Sequence, residues 1–265
     1  MDTSTSATRV DNTASDFYVD ALLRLKDANV PFLVGGAFAY SRYSKIDRST
    51  KDFDIFLRRD DLSRAFAVFE AAGYHTALPF PHWLGKVQWD GNFMDLIFSS
   101  GNGIAQVDDA WFDHAVDDLV LGLHLKLCAP EEIIWSKAFV QERERYDGAD
   151  VIHLLRELGP ALDWPRLLAR FGEHWRVLLS YVVLFGFVYP DQRDRVPAWV
   201  ADQLLAQLRS EGTEPDSHVC NGTLLSREQY LYDVDRLGYV DARMVPYGPM
   251  TREQVRIWTA GISRK

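Results

Sequence analysis

A glycine pair, Gly35-Gly36, follows the apolar run 32–34 (FLV) and precedes residues 37–43, whose composition suits a helix. Nothing else in the sequence narrows the fold as much. Glycines at a strand-to-helix junction let the backbone approach another group closely. The opening of the helix presents free N–H groups and the positive end of its dipole, which suit an anion. The plain alternative is a tight turn with no ligand. After fifteen intervening residues comes "DFDIFL" (52–57), which alternates polar and apolar at first, as a half-buried strand does. Side chains at i and i+2 of a strand share a face. Asp52 and Asp54 therefore project together, while Phe53 and Ile55 pack on the other side. Neighbouring carboxylates repel unless a cation or a proton sits between them. Hard carboxylate oxygens, together with substrate phosphates, suit Mg²⁺. A third acid, Asp95, interrupts the apolar run 93–98 (FMDLIF), where an unpaired charge is costly.

The rest of the chain sets limits. Its 265 residues suit one large domain or two modest ones, and the formal net charge of −9 disfavours long nucleic acid without excluding a local basic site. Cys128 and Cys220 have no metal-ligand spacing, and no apolar signal segment opens the chain; both thiols read as reduced and the protein as cytoplasmic. The histidines form no HxH or HExxH arrangement. The most apolar stretch, 177–189, falls short of the ~18 residues of a membrane span, so a buried core helix and no membrane partner are expected.

Periodicity predicts helices at 15–28, 37–43 and 60–72, with strands at 32–34, 52–57, 74–78, 85–89 and 93–98. Asp90-Gly91 signals a hairpin turn. From Pro130 the pattern turns helical. Helices are expected on both sides of Asp147-Gly148, from a cap at Asp163 with Pro165 in the first turn, and over 197–209. The division is a disordered tail (1–14), an α/β core (15–125), a helical domain (126–210) and a C-terminal extension (211–265), with 210–218 linker-like.

Gly35-Gly36, Asp52-x-Asp54 and Asp95 together resemble the nucleotidyltransferase superfamily with a DNA-polymerase-β-like core, nearest the branch of antibiotic nucleotidyltransferases and AbiEii-type toxins. The resemblance spans roughly residues 30–158. It implies an α+β fold, a mixed sheet with flanking helices followed by a mainly helical region. It also implies an enzyme that moves a nucleoside monophosphate from an NTP to an acceptor hydroxyl and releases pyrophosphate. Asp52, Asp54 and Asp95 would be the catalytic acids and hold two Mg²⁺ ions, with Mn²⁺ as a substitute. Gly35 and Gly36 would bind the β/γ phosphates, with Arg42 and Lys137 as further nucleotide ligands. Gly36 stands where many members carry a serine, and the glycine-to-DxD gap is longer than in minimal members.

The neighbouring residues carry plainer alternatives. Arg42 suits a solvated helix face equally well, and Lys137 an ordinary surface pair. Arg48 and Lys51 flank the DxD. Asp147 suits a cap, and Asp150 is a secondary site candidate. Trp83, Trp89 and Trp111 suit the core. The acceptor expected from the acidic chain is a small molecule or a protein hydroxyl. RNA would need a basic groove, built from Arg42, Lys45, Arg48, Lys51, Arg58 and Arg59 and diluted by Asp47, Asp60 and Asp61. The other readings are a toxin-like enzyme acting on tRNA 3′ ends and a catalytically silent antitoxin or binding module.

Overall fold

Apolar residues at helical spacing set the first element. Helix α1 (Asn12–Asp27) buries Phe17, Tyr18, Ala21, Leu22 and Leu25 and begins three residues before the expected start. The computed structural model describes residues 12–47, 52–212 and 217–260. The expectations placed on Arg48 and Lys51, and on residues 1–11, lie outside these. The chain divides into two units, Met1–Ala129 and Pro130–Lys265.

In the first unit, α1 is followed by β1 (Leu33–Val34), α2 (Gly36–Ser44), β2 (Phe53–Phe56), α3 (Leu62–Ala71), β3 (His75–Phe80), β4 (Leu84–Trp89), β5 (Asn92–Ile97), α4 (Asp109–Asp113), β6 (Val116–Val120) and β7 (Leu123–Leu127). The strands form one seven-stranded mixed sheet in the order β3-β4-β5-β2-β1-β7-β6. Strand β2 runs parallel to β5 and β1 parallel to β7, and the other pairs are antiparallel. Phe53 and Ile55 are fully buried, as their alternation predicts. Tyr18 and Phe38 pack their rings on Phe53 at 4.9 and 4.6 Å between centroids, which anchors α1 and α2 to that side of β2. Asp90 and Gly91 both take positive φ (47° and 80°), the backbone of the expected hairpin turn. The β6–β7 hairpin was not legible in advance. Its turn, Leu121-Gly122, takes φ of 50° and 79° with a leucine where Asn or Asp would have signalled it.

The second unit is mainly helical, with α5 (Pro130–Ala138), α6 (Gly148–Leu158), α7 (Trp164–Phe171), α8 (Trp175–Val188) and α9 (Ala198–Ser210), then β8 (Val219–Cys220), α10 (Leu231–Leu237), β9 (Val240–Asp241) and α11 (Arg252–Ala260). Asp163 caps α7 as predicted, accepting from the Arg166 N–H at 3.0 Å, with Pro165 in the first turn. The segment Trp164–Val188 is apolar and long enough to cross a membrane by length and composition alone. It is not one straight helix: Gly172 (φ +48°) and a 3₁₀ turn separate α7 from α8. The expectation of a core helix holds for one side of α8, which buries Trp175, Leu178, Tyr181 and Phe185; Val183 and Phe187 face outward. Near the chain end, Arg243 and Asp241 form a buried ion pair with Nη2–Oδ2 2.6 Å and Nε–Oδ1 2.9 Å.

Candidate functional site

The glycine pair is fixed by its surroundings. The Gly35 N–H donates to the Asp54 carbonyl at 3.0 Å, joining β1 to β2 where the chain turns into α2. A Cβ on Gly35 would overlap the Phe56 ring and fall 3.3 Å from Cys128 Sγ. At Gly36, φ is +53°, a left-handed conformation that favours glycine. A Cβ there would overlap Asp54 Oδ2 and lie 2.7 Å from Asp54 Cγ and 2.8 Å from its Cβ. The side chain of Asp54 thus stands against the opening of α2, where the helix dipole favours a negative charge. This corrects one expectation: the Gly35 N–H is engaged in the sheet and is not offered to a phosphate. Gly36 opens the helix, where backbone N–H groups have no intrahelical acceptor.

The third acid lies beside the second. Asp54 and Asp95 are register partners on the parallel strands β2 and β5, so their side chains leave the sheet on one face. On the other flank of Asp95, its antiparallel register partner on β4 is Lys86. Lys86 Nζ donates to Asp95 Oδ1 at 2.6 Å and lies 4.5 Å from the centre of the Phe93 ring. Asp95 is largely buried, its side chain 16% exposed. Burial pushes its carboxyl above the usual aspartate range; Lys86 pulls it down, and the charge of Asp52 pushes it up again. Asp52 is exposed and immediately precedes β2. The buried phenol of Tyr18 on α1 registers all three acids: desolvation first, then the charges of Asp52, Asp54 and Asp95, raise its pKa.

Lys86 and Tyr18 escaped the sequence reading. Lys86 had a signal, a lone cation within the strand "LGKVQW", but its pairing depends on the β4–β5 register. Tyr18 falls within the helix expected over 15–28, and only the packing of α1 on β2 sets it near the acids.

The other candidates have structural partners. Arg42 lies in the last turn of α2, and its Nε is 2.5 Å from Asp118 Oδ2 on β6, at the sheet edge. Six residues of helix, ~9 Å of rise, separate it from Gly36. Lys137 belongs to the second unit, where its Nζ is 3.0 Å from Asp147 and 2.8 Å from Asp150. Burial raises the Asp147 carboxyl, but Arg145 and Lys137 outweigh it and hold it below the usual range. Asp147 occupies the cap position of α6, though its side chain goes to these cations rather than to the helix. Trp111 is core, fully buried and stacked on Phe56 at 5.2 Å; Trp89 is 47% exposed.

No family model matches the sequence, and no curated protein matches it. Among solved structures the chain is similar to the solution structure of the antibiotic-resistance factor ANT(2'')-Ia, at 16% identity over 76% of this chain and 94% of that one, with a TM-score of 0.39. It is also similar to the lincosamide antibiotic adenylyltransferase LnuA in its lincomycin-bound crystal structure, at 13% identity over 55% of this chain and 96% of that one, TM-score 0.39. A third is an antigenic nucleotidyltransferase-like protein from Paracoccidioides brasiliensis, at 16% identity over 65% and 93% of the two chains, TM-score 0.36. At this distance the activities of those proteins do not pass to this chain.

Whether these acids suit a divalent ion is a matter of the donor set. Among the described residues, no three His, Cys, Asp or Glu side chains form a ready-made metal cage. Asp54 and Asp95 supply a pair of hard oxygen donors in register, and Lys86 sits on Asp95 as a cation already in place. One or two carboxylates completed by substrate phosphates is the usual manner of holding Mg²⁺. The residues therefore fit an ion that is shared with a nucleotide.

Proposed function

We propose that the protein is a metal-dependent nucleotidyltransferase that moves a nucleoside monophosphate from an NTP to a hydroxyl, with a small molecule or a protein side chain as acceptor. The observation that carries this reading is the register of Asp54 with Asp95, beside a helix that opens at Gly36. Asp54 and Asp95, with Asp52 next to them, are the residues that would hold Mg²⁺ or Mn²⁺. Such an ion supplies charge to offset the phosphates and to stabilise the attacking and leaving oxygens.

The protein's own groups divide the remaining work. The Gly36 end of α2 receives phosphate oxygens through its backbone N–H groups and dipole. The acceptor oxygen bonds to the α-phosphorus as the bond from that phosphorus to the bridging oxygen breaks, and pyrophosphate departs. Asp95 takes the proton of the acceptor hydroxyl. Its place beside Asp54 in the β2–β5 register supports this role, because a base must lie within hydrogen-bond reach of the proton it takes.

Three of the six cations that would form a basic groove for RNA are engaged elsewhere. Arg42 pairs with Asp118, Arg58 with Asp109 and Asp61, and Arg59 lies over the Phe98 ring. This favours a small acceptor over an RNA end. The test is incubation with each labelled NTP, Mg²⁺ and cell extract, followed by fractionation into small molecules, protein and RNA. Label in small molecules or protein is expected. Label in tRNA would overturn the acceptor, and no incorporation would overturn the enzyme.

A further inference from the structure

We infer that Lys86 is a positioning residue of the acid cluster: its ammonium serves as the resident cation of Asp95 and yields that carboxylate when a divalent ion enters. This rests on the metal-dependent reading above. In the sheet, Ala77, Lys86, Asp95 and Asp54 follow one another as register partners across β3, β4, β5 and β2. Asp95 therefore has a cation on one flank and the first carboxylate of a shared ion site on the other. A carboxylate this buried needs a counter-charge, and the 2.6 Å contact to Lys86 is a strong charge-assisted bond.

Lysine suits an exchangeable cation. It carries a single point charge on a flexible stem, with no fork to lock it to the carboxylate. The π face of the Phe93 ring, 4.5 Å from Nζ, attracts the ammonium at the same time, so Lys86 keeps one partner when it gives up Asp95. Phe93 and Asp95 stand two residues apart on β5, hence on one side of the sheet. A divalent ion entering alone meets this resident positive charge and binds weakly. An ion arriving with a triphosphate brings negative charge that offsets Lys86. Ion and nucleotide should therefore bind together rather than in sequence.

The experiment is calorimetric titration of Mn²⁺ into wild type, Lys86→Met and Lys86→Arg, with and without α,β-methylene ATP, beside melting curves in EDTA and in saturating Mn²⁺. Without nucleotide, Lys86→Met should bind Mn²⁺ about fivefold tighter, ~1 kcal/mol. Lys86→Arg, whose guanidinium fork holds the carboxylate, should bind Mn²⁺ more weakly than wild type. In EDTA, Lys86→Met should melt lower than wild type, and saturating Mn²⁺ should close the gap. A purely structural lysine would leave the same deficit in both conditions and Mn²⁺ affinity unchanged or weaker, and that result would overturn the inference alone. Failure of wild type to bind Mn²⁺ even with the nucleotide analogue would overturn the proposed function and this inference with it. Should Lys86→Met not fold, Lys86→Gln removes the charge while keeping a donor for Asp95 and carries the same test.

Discussion

Gly36→Ala puts the reading of the glycine pair at risk most directly. Two penalties arise from the geometry. The first is conformational: φ at Gly36 is +53°, and an alanine held there costs ~1–2 kcal/mol. The second is steric: the new Cβ would overlap Asp54 Oδ2 and lie 2.7 Å from Cγ and 2.8 Å from Cβ. Rotating the carboxylate away relieves the first two contacts but not the third, so β2 or α2 must shift as well. Overpacking of that kind costs ~1–3 kcal/mol. The sum is ~2–5 kcal/mol, and at roughly 2–4 °C per kcal/mol for a chain of this size the melting temperature should fall on the order of 4–20 °C. The two penalties separate in a double-mutant cycle. In an Asp54→Gly background the carboxylate and the Cβ are both gone and only the φ penalty remains, so Gly36→Ala should cost about 1–3 kcal/mol less than in wild type. Denaturant unfolding of the four proteins measures this coupling, and melting with and without Mg²⁺·ATP shows whether ligand stabilisation disappears in Gly36→Ala. If Gly36→Ala costs the same, within ~0.5 kcal/mol, in both backgrounds, the glycine does not make room for Asp54. If Gly36→Ala keeps the full Mg²⁺·ATP shift, the helix opening at Gly36 is not part of the nucleotide site.

Three further outcomes are expected. Asp52→Ala and Asp54→Ala should each abolish transfer and leave a folded protein, because they relieve repulsion among carboxylates rather than open a cavity; full activity of both in Mg²⁺ would remove the acid cluster from the mechanism. Asp95→Asn should bind Mg²⁺·NTP within about tenfold, ~1.4 kcal/mol, of wild type yet transfer almost nothing in a single-turnover assay; normal turnover would leave the proton acceptor to be sought elsewhere. Asp241→Asn breaks the buried pair with Arg243 and should cost ~3–5 kcal/mol at neutral pH. Burial raises the Asp241 carboxyl, but its bonds to Arg243 prevail and hold it below the usual range. A depressed folded pKa gives stability that is full above the unfolded value and is lost as pH falls through the folded one. The gap between wild type and Asp241→Asn should therefore be widest at neutral pH and close in acid; a gap independent of pH in urea titrations would contradict the assignment.

Several elements were legible because they depend on local rules. Alternation over "DFDIFL" placed Phe53 and Ile55 inward, and Asp90-Gly91 marked the β4–β5 hairpin. Asp163 followed by Pro165 marked the start of α7. Each of these signals lies within a few residues of what it determines.

What escaped the sequence involves partners distant along the chain. Parallel pairing of β2 with β5 sets Asp54 beside Asp95, and antiparallel pairing of β4 with β5 brings Lys86 onto the other flank. Neither register can be read from its strand alone, since a slip of one residue would turn every side chain to the opposite face. Packing of α1 on Phe53 decides that Tyr18 feels the three carboxylates. Arg42 shows the same limit: its charge and helical position suited a phosphate, and the β6 strand supplied Asp118 instead. The sequence by itself determined which residues are candidates for the chemistry and which segments present them, because periodicity and turn preference act over a few residues. The tertiary structure alone decided which charges meet, because contacts between strands join residues whose separation along the chain leaves no local trace.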